Sequence, residues 1–255
     1  MNASQRYYVP GYSYKAGDVC YCPSGKDFSD CCGSTAADRP PPVHICVVNN
    51  FISPQECKKT LRYLEKQTRT WLKVFRAGES GKSKQVMDKD RKTQAVDIRS
   101  KQLMFNDWVN RALLEHVEPT TGGRIEWFEI PYILRYGPNG FYNKHADAEV
   151  FDIDAKRWYR VMDRDVSLLI YLNDDFTGGE LHFPSLNYTY QPKQGDLVFF
   201  PSNHLFIHES QPLKTGKKYA MVSWSVMQLV KVIPIVGPSQ GTPGDNGLSQ
   251  WTTGQ

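Results

Sequence analysis

From about residue 124 to residue 227 the chain alternates apolar and polar positions with the period of two that marks half-buried strands. The segments RIEWFEIPYILRYG, FYNKHADAEV, RDVSLLIYLN, GGELHF, TYQPKQGDLVFFP, LFIHESQP and KKYAMVSWSVM are short, and Gly-Gly and Pro-x-x-Gly turns divide them. Strands of this length and spacing predict an antiparallel sandwich or barrel. Upstream the period changes. In SPQECKKTLRYLEKQ, Ser53 reads as an N-cap, Pro54 stands at the first helical position and Glu56 lies three residues past the cap. Those signals predict a helix over residues 54–69 with Leu61 and Leu64 buried. Helical spacing returns in SKQLMFNDWVNRALLEHVEP, where Leu103, Val109, Leu113 and Leu114 are expected to cover the sheet. HICVVNNF reads as a strand, whereas residues 77–93, AGESGKSKQVMDKDRKT, are polar and aperiodic and read as a flexible loop. The expected fold class is therefore mainly β with flanking helices packed on the outside.

Four segments follow from these patterns: a cysteine-rich stretch over 1–36, a proline-rich linker over 37–43 that can continue neither helix nor central strand, the β-rich domain over 44–235, and a tail over 236–255 poor in core-forming residues. The 255-residue chain is 40% hydrophobic and has no apolar run long enough to cross a bilayer, so no membrane association is expected. Its first residues, MNASQRYYVPGYSYKAGD, lack the basic start and apolar stretch of an export signal, which points to a reducing cytoplasm. A net charge of +4 is too small to imply nucleic-acid binding. The charge is uneven, with fourteen Lys or Arg against five Asp or Glu between residues 58 and 101. That surplus reads first as a solvated helix face and loop, and second as a patch for an acidic partner or RNA.

Four of the six cysteines fall in DVCYCPSGKDFSDCCGS as C-x-C-x8-C-C. Adjacent cysteines and C-x-C pairs are poorly shaped for local disulfides, but four thiolates can surround one ion, and soft tetrahedral sets favour zinc. The stretch resembles the SEC-C zinc-binding motif, keeping the cysteine spacing and the S-G-K core. It departs from that motif at Tyr21, Pro23, Asp27 and Asp30. The resemblance implies a structural zinc on Cys20, Cys22, Cys31 and Cys32, in a knuckle that either recruits a macromolecular partner or stabilises the N-terminus. Cys46 and Cys57 stand alone and are expected in the core.

Candidate chemistry begins at His145 and Asp147, which a strand would place on one face. By itself such a pair also fits the polar side of a half-exposed strand. A metal site needs a third ligand. His204 follows the turn PSN and reads as exposed, and His182 alternates against Leu181 and Phe183 and reads as outward-facing, which leaves His208. Two histidines and one carboxylate can occupy one face of an octahedral iron(II) and leave three positions open. In GKKYAMVSWSV, Lys218 shares a face with Ala220, Val222 and Trp224, while Lys217 lies with Tyr219 and Met221. One of the two lysines must point inward among apolar residues and meet an anion there, unless both snorkel to solvent at the strand's start.

The strings RYGPNGFYNKHAD, RDVSLLIYLNDDFTGGELHF, PKQGDLVFFP and HESQPLKTGKKYAMVSW together resemble the iron(II)- and 2-oxoglutarate-dependent dioxygenases of the prolyl 4-hydroxylase type. The similarity runs over about residues 44–232 and is densest after 132. It implies a double-stranded β-helix, a jelly-roll core related to the cupins. It also implies iron(II) on His145, Asp147 and His208, with Lys218 meeting the distal carboxylate of 2-oxoglutarate and Tyr136 and Tyr171 near that cosubstrate. A lysine ten residues after the second histidine favours the prolyl 4-hydroxylase branch over the base-repair and hypoxia-sensing branches.

The implied reaction consumes dioxygen and 2-oxoglutarate, releases succinate and carbon dioxide, and hydroxylates a peptide or protein, with prolyl 4-hydroxylation first and ascorbate as an accessory reductant. Hydroxylation of a free amino acid or other small molecule is the second reading, and a non-catalytic cupin-like binding module the third. Gly178 and Gly179 are read as turn residues, and Arg99 and Arg164 as either substrate contacts or surface ion pairs.

Overall fold

A computed structural model describes residues 15–20, 26–31, 34, 41–72, 74–76, 84–86 and 90–228. In chain order its elements begin with β1 (Cys46–Val48), α1 (Pro54–Leu64), β2 (Arg69–Trp71), β3 (Val74–Arg76), β4 (Lys84–Val86) and β5 (Gln94–Val96). They continue with α2 (Gln102–Ala112), α3 (Glu118–Thr121), β6 (Ile125–Phe128), β7 (Tyr132–Tyr136), β8 (Tyr142–His145), β9 (Glu149–Asp152) and β10 (Arg157–Arg160). The last are β11 (Val166–Tyr171), β12 (Thr177–Gly178), β13 (Leu181–Phe183), β14 (Tyr188–Tyr190), β15 (Leu197–Pro201), β16 (His208–Ser210), β17 (Leu213–Thr215) and β18 (Lys218–Met227).

The capping box read from the sequence is formed: the Ser53 hydroxyl accepts from the Glu56 amide, and the Glu56 carboxylate accepts from the Ser53 amide. Ser53→Ala is expected to cost about 1 kcal/mol, read as a lowered Cm in urea with an unchanged m-value. The helix ends at Leu64, five residues earlier than expected, because Thr68, Thr70 and Trp71 are β-branched or aromatic and the chain turns to pair β2 with β5.

One large antiparallel sheet runs β1-β15-β11-β18-β7-β5-β2, with β6 also on β18, and a smaller one runs β14-β13-β16-β8. Strand alternation divides the large sheet. Leu168, Ile170, Tyr219 and Met221 point to the helices, where they pack with Leu64, Phe105, Val109 and Leu113. Tyr171, Val198, Phe200 and Ala220 point to the smaller sheet and pack with Leu181, Phe183 and Tyr188. Two sheets with a shared apolar interior and helices outside make the expected mostly-β jelly roll.

Of the four residues expected to cover the sheet, Val109 and Leu113 are buried in the core, but the other two are not. Leu103 and Leu114 are 84% and 61% exposed, and the covered residues of α2 are Phe105, Trp108, Val109 and Ala112. Those four recur at i, i+3, i+4 and i+7, and Leu103 lies off that face. The segment read as a loop also carries structure, since β4 pairs with β3 in a small hairpin. Its registry is supplied by the partner strand, so no hydrophobic period announces it. No helix among the described residues is long and apolar enough to cross a membrane. Cys57 is in the core as expected, and Cys46 is half-buried against it.

Candidate functional site

The smaller sheet sets His208 directly opposite His145, through the antiparallel pairing of β16 with β8. β8 ends at His145, and Asp147 lies in the bend beyond it. The two converge because that bend is tied down, and strand alternation plays no part. The Ala148 amide donates to the Ser202 carbonyl, and Arg164 Nη1 donates to the Asp147 carbonyl at 3.1 Å. Asp147 Oδ1 comes within 3.5 Å of His145 Nε2, and Oδ2 within 3.6 Å of His208 Nε2.

Protonation follows from the remaining contacts. His145 Nδ1 lies 2.8 Å from the Asn143 carbonyl and His208 Nδ1 lies 3.0 Å from the Phe206 carbonyl. A carbonyl only accepts, so each Nδ1 carries the hydrogen and each Nε2 presents a lone pair. Burial pushes the His208 imidazole down to about 4, with His145 adding to the effect. Burial would raise the Asp147 carboxyl, but the pull of His208 and His145 in their protonated forms, together with the Ser167 hydroxyl, holds it well below the usual carboxylate range. Lone pairs of two nitrogens and a carboxylate therefore face one another within 4.8 Å, with no donor between them. Such a set fits a first-row divalent cation, and its two histidines and one carboxylate suit iron(II).

These donors form one wall of a cavity of about 490 Å³ between the sheets. Lys218 reaches its interior from β18 and is 2% exposed. Its Nζ donates to the Gly179 carbonyl at 2.6 Å and to Ser210 Oγ at 2.5 Å, and lies 4.3 Å from the centre of the Tyr136 ring. Among the described residues it forms no ion pair. Burial pushes its amine down to about 7, against a weaker opposing pull from Glu180. A buried ammonium with one N–H still uncommitted to oxygen is a partner for a carboxylate brought by a small ligand. Lys217 instead points outward and pairs with Glu65 at 3.0 Å, which settles the choice between the two lysines.

Tyr136 and Tyr171 are both buried and both line the cavity, and burial raises each phenol. Cys20 and Cys31 are buried, whereas Cys22 and Cys32 lie outside the described residues. His182 is on β13, away from the triad, and its Nδ1 lies 2.9 Å from Thr189 Oγ1. His204 is half-buried and not exposed as expected, because Glu149 accepts from its amide and Trp158 stacks on its ring at 4.9 Å. Arg99 forms an exposed pair with Asp97. Arg164 instead lines the cavity, paired with Glu129 and lying 3.7 Å from the Trp224 ring centre.

Several contributors escaped the sequence reading. Ser210 stands two residues past His208, so alternation could have placed it on the same inward face. Gly179 has φ of +71° and gives Lys218 its carbonyl, a role beyond the turn assigned to it. Tyr142 stacks on His145 at 3.7 Å and carries the Arg91 guanidinium at 4.4 Å on its ring. Only folding brings Ser167, Ser202 and Arg91 to the site.

Residues 131–226, which contain all four polar groups, match the family model of the 2OG-Fe(II) oxygenase superfamily. A protein of Acanthamoeba polyphaga mimivirus, named as a candidate prolyl 4-hydroxylase, is 28% identical over 70% of this chain and 72% of its own. Prolyl 4-hydroxylase 1 of Arabidopsis thaliana is 29% identical over 71% of this chain and 68% of its own. Among solved structures, the viral collagen prolyl hydroxylase of Paramecium bursaria Chlorella virus-1, in its 2OG complex, shares the fold with a TM-score of 0.52 at 20% identity, covering 72% of this chain and 97% of that one. Iron(II), 2-oxoglutarate and dioxygen are the requirements that this family implies, and the donor set and the buried ammonium fit the first two. Residues 131–226 are thus a 2OG-Fe(II) oxygenase domain.

Proposed function

We propose that this chain hydroxylates prolyl residues of a peptide or protein, with His145, Asp147 and His208 holding iron(II) and Lys218 holding the distal carboxylate of 2-oxoglutarate. The observation that carries the reading is the pairing, within one cavity, of a three-donor cation site with a buried ammonium that forms no ion pair among the described residues. Iron(II) supplies the activation of dioxygen, coupled to oxidative decarboxylation of the cosubstrate to succinate and carbon dioxide. The chain's own share is placement. Its two Nδ1–H groups fix the imidazoles, and Lys218 would hold the distal carboxylate of the cosubstrate in the cavity that Tyr136 and Tyr171 also line. The apolar walls Leu134, Ala220 and Val222 keep water off the reacting centre.

A peptide substrate is supported by the prolyl 4-hydroxylases among the relatives and by the cavity's rim, where Tyr132, Val150, Val161 and Met162 are each between 42% and 53% exposed. Ascorbate would keep the iron reduced between turnovers. At the N-terminus, an isolated bridge between Val19 and Asp27 folds the chain back where Cys20 and Cys31 are buried. That fold supports a structural zinc on Cys20, Cys22, Cys31 and Cys32, and a reducing cytoplasm would keep the thiols available to it.

The test is an array of proline-containing peptides incubated with iron(II), 2-oxoglutarate and ascorbate, scored for a gain of one oxygen and for succinate. Hydroxyproline in stoichiometry with succinate supports the reading. Turnover on free amino acids, with none on any peptide, overturns the peptide assignment.

A further inference from the structure

The side chains of Ser167 and Ser202, which folding brings behind Asp147, are both buried, at 1% and 2% exposure. Ser167 sits on β11 and reaches Asp147 Oδ2 at 2.6 Å, and Ser202, just past β15, lies 2.8 Å from Ser167 Oγ. A carboxylate can only accept, so the Ser167 hydrogen goes to Asp147, and the Ser202 hydrogen must then go to Ser167. Two hydroxyls in series, both shielded from water, polarise one another toward the carboxylate. The main chain fixes the same unit, through the bond from the Ala148 amide to the Ser202 carbonyl and the bond from Arg164 to the Asp147 carbonyl.

The consequence concerns how the carboxylate meets a cation. Each carboxylate oxygen faces one imidazole, Oδ1 at 3.5 Å from His145 Nε2 and Oδ2 at 3.6 Å from His208 Nε2, but only Oδ2 also carries a short hydroxyl bond. Resting on the iron and 2-oxoglutarate assignments above, we infer that Ser167 and Ser202 are positioning residues that hold Asp147 to a single ligating oxygen. Coordination number gives this its importance. On a six-coordinate ion, three protein donors and a chelating 2-oxo acid occupy five positions. A carboxylate free to bind through both oxygens would compete for the sixth position, or for those of the chelate. The hydroxyl pair withholds Oδ2 and so keeps the chelate and one further position available.

The test compares a ligand that chelates with one that cannot. Wild type, Ser167→Ala and Ser202→Ala are loaded anaerobically with iron(II) and titrated with 2-oxoglutarate by its visible charge-transfer band. Each is also titrated with glutarate, which lacks the 2-oxo group, by displacement. Loss of an outer hydrogen bond to a metal ligand costs about 10- to 100-fold in metal affinity or activity, and the lower end of that range carries over to a cosubstrate chelated on the same ion. Ser167→Ala is therefore expected to bind 2-oxoglutarate about tenfold more weakly with a shifted band, Ser202→Ala less so, and neither to change for glutarate. Ser167→Thr, which keeps the hydroxyl, is expected to restore the wild-type band. Equal losses for both ligands reduce the serines to general packing and overturn the inference, as does a Ser167→Ala protein indistinguishable from wild type. A wild type that gives no band at all overturns the underlying iron and 2-oxoglutarate assignment instead.

Discussion

Lys218→Met should bind 2-oxoglutarate about 30- to 5,000-fold more weakly than wild type, because truncating one partner of a buried charge pair costs about 2–5 kcal/mol. Methionine keeps the volume and the apolar stem, so packing against Tyr136 is preserved. The ligand-free protein should respond in the opposite direction. Its buried Lys218 ammonium donates to two neutral oxygens and forms no ion pair among the described residues, and removing a poorly compensated charge favours the folded state. A variant with raised Tm and lost cosubstrate affinity would establish the lysine as a ligand group. Lowered Tm with unchanged affinity would sink the assignment.

The same lysine sets a pH dependence. Burial holds its amine at about 7 in the ligand-free protein, so the neutral form dominates above that pH while the carboxylate demands the ammonium. Affinity should be full below about pH 7 and fall as pH rises through it. Binding at about pH 8 should then take up a proton, which calorimetry in two buffers of different ionisation enthalpy would count. No uptake would mean that the ammonium is already charged before the ligand arrives.

Asp147→Ala is expected to abolish turnover and to weaken iron(II) binding by more than the roughly 10- to 100-fold typical of losing an outer contact. The lone pairs of His145 and His208 would remain, but without the only anionic donor of the set. Asp147→Asn makes the sharper comparison, since the amide keeps the shape and an acceptor oxygen while losing the charge. If it binds iron as wild type does, Asp147 is not a ligand. Retained turnover in either variant would move the metal site elsewhere.

Strand alternation is a local property of an L-backbone, and the features that rest on it were legible before any fold was known. Lys218 does share its face with Ala220, Val222 and Trp224, and that face does line the cavity. The capping box at Ser53 is equally local, because its partners lie within one helical turn. Patterning goes wrong where the choice depends on what covers a face. The residues of α2 have several apolar stripes available, and the sheet beneath selects the one through Phe105 and Val109. The β3–β4 hairpin has no period at all, since pairing alone creates it.

The candidate site divides along the same line. By itself the sequence determined which residue types were present, among them the His-x-Asp spacing, and which residues of β18 shared a face, and hence that one of two lysines points inward. Only the tertiary structure decided that His208 lies opposite His145, that Asp147 is drawn in by a bend tied to Ser202 and Arg164, and that two serines 35 residues apart meet behind its carboxylate. The physical reason is chain separation. Periodicity constrains neighbours a few residues apart, whereas contacts between remote strands are chosen by closure of the whole barrel around its apolar interior.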